Sequence, residues 1–156
     1  AEPPLAEHLK PFRGAEAIEA LRRTTDRQKG NRPRVFLLTL GDKKMRRARA
    51  QFSSGFFAAA GFEIIDNVGF GNPEEGIEAA AEKNADIVVI CSSDEEYPEV
   101  APKIYERLKD ECMVVIAGHP KESIEELKKT GIRHFIHARS DLVETLKGFQ
   151  KALGIE

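Results

Sequence analysis

No apolar run in this 156-residue chain approaches the roughly 20 residues that a membrane-spanning helix needs. The opening AEPPLAEHLKPFRG has no apolar core segment, so it does not read as a secretion signal. Cysteine is scarce. Cys91 and Cys112 each sit inside an apolar, β-branched run (IVVIC, CMVVIA), with no metal knuckle and no CxxC pair around them. They read as reduced, partly buried thiols of a cytoplasmic protein. Net charge is only −2, which provides no global attraction to nucleic acid or to a membrane surface. Neither a GxGxxG nor a Walker sequence occurs, so the standard phosphate-binding loops are missing.

What remains is the composition of one ordinary globular domain, 41% hydrophobic and 32% charged, long enough to bury a core. An opening at Ala1, with no methionine and in Pro-rich sequence, reads as a fragment of a longer chain. Residues 1–13, with Pro3, Pro4 and Pro11, are expected to be extended. Residues 15–28 have helical composition, with Ala17, Ile18 and Leu21 as a modest apolar stripe, and Lys29–Pro33 (KGNRP) breaks that helix.

From Arg34 the text alternates. Apolar runs at 35–40, 62–68, 86–91, 112–118 and 134–138 are separated by helical patterns at 44–60, 73–84, 98–110, 120–130 and 140–153. VFLLTL and DIVVIC are almost continuously apolar, as strands covered on both faces must be. Asn72-Pro73-Glu74-Glu75 and Ser140-Asp141 read as helix starts, and Gly61 and Gly131 as helix ends. In the helix at 44–60, Met45, Ala48, Phe52, Phe56 and Ala59 recur at helical spacing and are expected to face the sheet. Five βα units predict an α/β fold: a flavodoxin-like, Rossmann-like three-layer sandwich on a five-stranded parallel sheet of order 2-1-3-4-5. A lead-in segment at 1–32 precedes the domain proper at 33–156.

In such a sheet, ligands bind beyond the C-terminal strand ends. Those ends carry Gly41-Asp42-Lys43, Gly69-Phe70-Gly71, Cys91-Ser92-Ser93, Ala117-Gly118-His119 and His137-Ala138-Arg139. A phosphorelay receiver needs an acidic pair after strand 1, an acceptor Asp after strand 3 and a Lys after strand 5. Asp42 stands alone, Cys91 occupies the acceptor position and Arg139 follows strand 5, so the signalling reading fails. LGDKKMRRAR is not the hydroxyl-rich loop of a flavin binder.

Residues 32–153 do resemble the cobalamin-binding domain of methylmalonyl-CoA mutases. RPRVFLLTLG, SSGFFAAAGFEI, NPEEGIEAAAEKNADIV and GIRHFIHARSDLVETLKGF follow that family's phrasing, and RGAEAIEALRRTTD is similar to the segment leaving its preceding barrel domain. Cobalamin binders of the family carry D-x-H-x-x-G after strand 1, the His being the lower cobalt ligand. The Asp, His and Gly positions fall on Lys43, Met45 and Ala48. The small residues lining the nucleotide-tail channel fall on Cys91-Ser92-Ser93 and Ala117-Gly118.

Fold kept and ligand lost resembles the family's small subunit. The resemblance implies a non-catalytic C-terminal domain that serves assembly with a catalytic large subunit. Adenosylcobalamin would sit in that partner, none would be held here, and the heterodimer would interconvert methylmalonyl-CoA and succinyl-CoA. No catalytic residue and no metal ligand is expected in this chain, and neither nucleic acid nor membrane is expected as a partner. The competing reading is a genuine cobalamin binder working base-on or through the Met45 thioether; core packing is preferred for Met45.

Other features have plain readings. Lys43, Lys44, Arg46, Arg47 and Arg49 open one helix and oppose its dipole. They read as a solvated face, an acidic partner's surface or an anion site. Asp94, Glu95, Glu96 and Glu99 share their rim and are expected to neutralise them across the crevice, or to be solvated. His119 and His137 lie on the rim, His8 and His134 off it, with no third metal ligand at suitable spacing. Ser92 and Ser93 lack a base, and Cys91 reads as buried packing.

Overall fold

The apolar runs become β1 (Arg34–Thr39), β2 (Glu63–Ile65), β3 (Ile87–Cys91), β4 (Met113–Ala117) and β5 (His134–Ile136). Between and around them lie α1 (Pro3–Arg27), α2 (Lys43–Ala58), α3 (Pro73–Glu82), α4 (Tyr97–Leu108), α5 (Ile124–Thr130) and α6 (Leu142–Ala152). The computed structural model describes residues 3–28 and 30–155, and side chains from residue 14 onward. Lys29, within the expected helix break, and the side chain of His8 lie outside the described residues.

All strand pairs are parallel, in the order β2-β1-β3-β4-β5, so the expected topology holds. Central β1 aligns Leu37 with Val89 and Thr39 with Cys91. Successive side chains of a strand point to opposite faces, and here both faces are covered. Val35, Leu37, Val89 and Val115 pack with α1, α2 and α6. Phe36, Leu38, Val88, Ile90 and Ile116 pack with α3, α4 and α5. That is why the central strands are apolar almost throughout, as in Val35–Leu38 and Ile87–Cys91. Each such side chain contributes about 1.5–3 kcal/mol relative to exposure.

The expected helix starts form as read. Asn72 Oδ1 accepts the Glu75 N–H at 2.9 Å with Pro73 in the first turn, and Asp141 Oδ1 accepts the Glu144 N–H at 3.0 Å. Gly131 closes α5 at φ 125°, a conformation that disfavours side chains.

Four expectations need correction. First, residues 3–13 are helical, not extended, and belong to the single helix α1. Pro3 and Pro4 stand in the first turn, where a proline's missing N–H has no partner to lose, while Pro11 lies in the interior of the helix. Second, the strand expected at 62–68 ends at Ile65, because Asn67 turns back across the strand ends. Its Nδ2 donates to Leu37 O at 2.6 Å, and its Oδ1 accepts the Thr39 hydroxyl at 2.6 Å. Third, the strand expected at 134–138 stops at Ile136, where the His137 N–H turns to Ser140 Oγ.

The fourth concerns α2. Ala48 is exposed, and Met45 is only half-buried and outside both cores. The face on the sheet is set by Ala50, Ser53, Phe56 and Phe57, with Arg49 beside them. Phe52, Phe56 and Ala59 of the expected stripe do pack on this core, and the stripe fails only at Met45 and Ala48, where the column facing the sheet carries Arg49 and Ser53 instead.

Helix α1 docks on α6 through a polar clasp. Buried Gln150 donates from Nε2 to Leu21 O at 2.9 Å and to Thr25 Oγ1 at 3.0 Å.

Candidate functional site

The switch point lies between β1 and β3, and this architecture places its ligands at the strand ends there and at the adjoining end of β4. That place is filled by the protein's own polar side chains. Arg49, projecting from the second turn of α2, brings its guanidinium over the ends of β3 and β4. Nη1 donates to Ala117 O at 2.9 Å, Ser92 O at 3.0 Å and Tyr97 Oη at 3.2 Å. Nη2 pairs with Asp94 at 3.0 Å. The Arg49 side chain is 18% exposed and Asp94 45%, so the pair is rooted inside and open at its acidic end. Burial opposes the charge on Arg49, but Tyr97 and Asp94 more than offset it, and the guanidinium stays protonated.

Tyr97 is fully buried beneath it. Its hydroxyl accepts the Ser92 N–H and donates to Ala117 O, bridging β3 and β4. Burial raises the phenol pKa well above its ordinary value, so it remains a neutral donor. Gly118 completes the arrangement at φ 136°. A Cβ there would lie 2.6 Å from Arg49 Nη1, so the glycine leaves the room that the guanidinium takes.

Glu96 closes the neighbouring gap between β1 and β3. Its Oε1 accepts the Ser92 and Ser93 hydroxyls at 2.7 Å each, the Asp42 N–H at 3.0 Å and the Ser93 N–H at 3.2 Å. Burial works against the ionised carboxyl, but these donors outweigh it and hold its pKa down at about 2. A folded-state pKa below the unfolded one stabilises the fold above the unfolded value of about 4.3. That contribution fades as pH falls toward 2. Glu96→Gln is therefore expected to cost about 2 kcal/mol at neutral pH and to flatten the acid limb of stability. Urea unfolding between about pH 5 and 3 reads this; an acid limb unchanged by the substitution would refute it.

The residues singled out from the sequence separate accordingly. Lys43 and Ala48 lie exposed on the first turns of α2, and the Met45 N–H is capped by Asp42 Oδ2 at 2.9 Å. Cys91 is fully buried, and desolvation pushes its thiol up to about 12, which makes it inert near neutrality. Ser92 and Ser93 give their hydroxyl protons to Glu96, a carboxylate too weakly basic to activate them.

The expected neutralisation across the crevice is made by Arg49 and Asp94. Glu96 spends its carboxylate on hydroxyls and N–H groups, while Glu95 and Glu99 are exposed. His119 and His137 approach with ring centroids 5.0 Å apart, and His137 Nδ1 accepts the Arg139 N–H. Among the described residues no third His, Cys, Asp or Glu joins them as a metal ligand.

Sequence reading missed Arg49, counted only as one cation of a basic run, and Tyr97. The available signal was the column 49, 53, 57 on one face of α2, continued by Ala60 just beyond it, in which Ser53, Phe57 and Ala60 are fully buried.

Comparison with known proteins extends this picture. No family model matches the chain. It is 47% identical over 149 residues, 96% of its length, to a methylmalonyl-CoA mutase small subunit of Porphyromonas gingivalis. It is 30% identical over 152 residues, 94% of its length, to the small subunit from Streptomyces virginiae. The chain spans 24% of the length of each of these relatives. Among solved structures, a cobalamin-binding protein from Desulfitobacterium hafniense superposes with a TM-score of 0.53 at 19% identity, covering 94% of this chain and 75% of that one, which shows a shared fold. Over nearly its whole length, this chain is a sequence relative of the methylmalonyl-CoA mutase small subunit, and it shares its fold with a cobalamin-binding protein.

Proposed function

We propose that the chain is a non-catalytic assembly domain of a methylmalonyl-CoA mutase small subunit, on a cobalamin-binding fold that does not hold cobalamin. The observation carrying this reading is Arg49. Where the resemblance places a channel of small residues for the cofactor's tail, the guanidinium occupies the opening between Ser92, Ala117 and Asp94. Met45, at the position of the cobalt ligand, offers a half-buried thioether instead of an imidazole. Lys43, at the position of the carboxylate that orients that imidazole, carries the opposite charge. The residues present do not fit the cofactor.

The reading extends to the whole protein by relationship. The relatives' designation as small subunits points to a larger partner. In this reading that partner binds adenosylcobalamin and performs the isomerisation of methylmalonyl-CoA and succinyl-CoA in a cytoplasmic heterodimer. No described helix is long and apolar enough to cross a membrane.

Visible absorbance of hydroxocobalamin titrated with the chain tests the cofactor claim. The native chain is expected to leave the spectrum unchanged. A Lys43→Asp, Met45→His, Ala48→Gly variant restores the ligand loop and is expected to remain a non-binder while Arg49 stays in place. Saturable binding by the native chain would establish the rival reading, a cobalamin domain working base-on or through Met45. Binding by the triple variant alone would show that ligand loss, not Arg49, keeps the cofactor out.

A further inference from the structure

With the switch point plugged, a further concavity on this rim lies one strand over, between α2 and the loop after β2. It is an open cleft of about 590 Å³, within the range of small-molecule sites. Lys43, Arg46, Arg47 and Gln51, from successive turns of α2, form one wall. Asp66 and Asn67, with the exposed Val68, form the other. Three cations thus face a single carboxylate.

The groups of the cleft are unequally committed. Asn67 is consumed in holding its loop, accepting from Thr39 and Gly69 and donating to Leu37 O. Arg46 reaches Gly41 O at 3.2 Å and Val68 O at 3.4 Å, bonds that lean its guanidinium along the cleft without neutralising it. Lys43, Arg46 and Arg47 make no ion pair with a carboxylate among the described residues. By contrast, Arg49, two residues on, is paired and four times hydrogen-bonded. The N–H groups at the start of α2 are not the attraction, since Asp42 accepts those of Met45 and Arg46. The binding capacity lies in side chains along the flank of the helix.

Concentrating three like charges in a concave site costs free energy unless an anion balances them. Solvation alone would be served equally by a convex face. Two guanidinium forks and an ammonium match phosphate oxygens, which guanidinium binds in bidentate fashion. The side-chain amide of Gln51 adds a neutral donor. We infer that this cleft binds a small phosphate-bearing anion, independently of whether the chain binds cobalamin.

The test is a ¹⁵N–¹H NMR titration of the 156-residue chain with sodium pyrophosphate at two salt concentrations, beside Lys43→Ala/Arg47→Ala. Both side chains are exposed, so the fold is expected to survive, and unchanged amide positions in β3 and β4 verify that. Saturable shifts confined to residues 43–51 and 66–68 are expected, with affinity at least about tenfold weaker in the double variant, equivalent to about 1.4 kcal/mol. Absence of saturable shifts, shifts scattered over other cationic surface, or equal affinity in the double variant would each overturn the assignment. Because the readout is amide shifts and not a cobalt spectrum, its failure is distinct from failure of the assembly reading.

Discussion

Replacing Arg49 with alanine is expected to destabilise the chain by about 3 kcal/mol, the range found when one partner of a buried, hydrogen-bonded charge network is removed. For a domain of this size that lowers the melting temperature by about 6–12 °C. The expectation rests on what is left behind. Asp94 is half exposed and loses little by returning to water. Ser92 O lies at a buried strand end, where a missing donor is costly, while Ala117 O keeps only the Tyr97 hydroxyl and Tyr97 Oη loses the guanidinium that lies over its ring. Arg49→Met separates the contributions, since it keeps the stem's packing and removes the donors. It is expected to recover less than half of the loss. A loss below about 1 kcal/mol for alanine, measured by thermal and urea unfolding, would mean that water replaces the guanidinium without penalty, and the plug would then be incidental.

Gly118→Ala is the second large effect, expected at about 2–4 kcal/mol from two sources. One is backbone strain, because φ is 136° and a side chain rarely adopts it. The other is collision, because the new Cβ would lie 2.6 Å from Arg49 Nη1. These separate in a double-mutant cycle. In an Arg49→Ala background the collision vanishes and the strain remains, so Gly118→Ala is expected to cost about half as much there, with coupling of at least about 1 kcal/mol. Simple additivity would show that the two residues do not share the space assigned to them. The pair also carries an argument about the cofactor. A glycine at this place leaves room in the channel implied by the resemblance, and here that room is taken by an arginine of the same chain.

Much of this molecule was legible before its structure. Continuous apolar runs identified strands covered on both faces, and their alternation with helices gave the sheet order. Asn72 and Asp141 announced helix starts because a short side-chain oxygen before a helix has a specific N–H to accept. The misreadings share a cause. Asn67 ended β2 early through contacts with β1, some 30 residues away, which no local pattern carries. Met45 and Ala48 were assigned to the buried face of α2 because apolar periodicity treats arginine as surface. Arg49 is buried only because Ala117, Ser92 and Tyr97, 43 to 68 residues away, converge on it. The candidate site was therefore legible as a place, the rim of the sheet, while its occupant was not.

The order of strands also sets a timetable. Central β1 ends at Thr39, and the neighbour that completes its pairing, β3, does not finish until Cys91. Until then α2, β2 and α3 lack the central strand they pack against, since β2 contributes only three residues of pairing. Closing that loop takes entropy before any contact returns it. Shortened chains ending before residue 91 are thus the ones most exposed to self-association, and a nascent chain gains its first cooperative nucleus only once β3 has emerged.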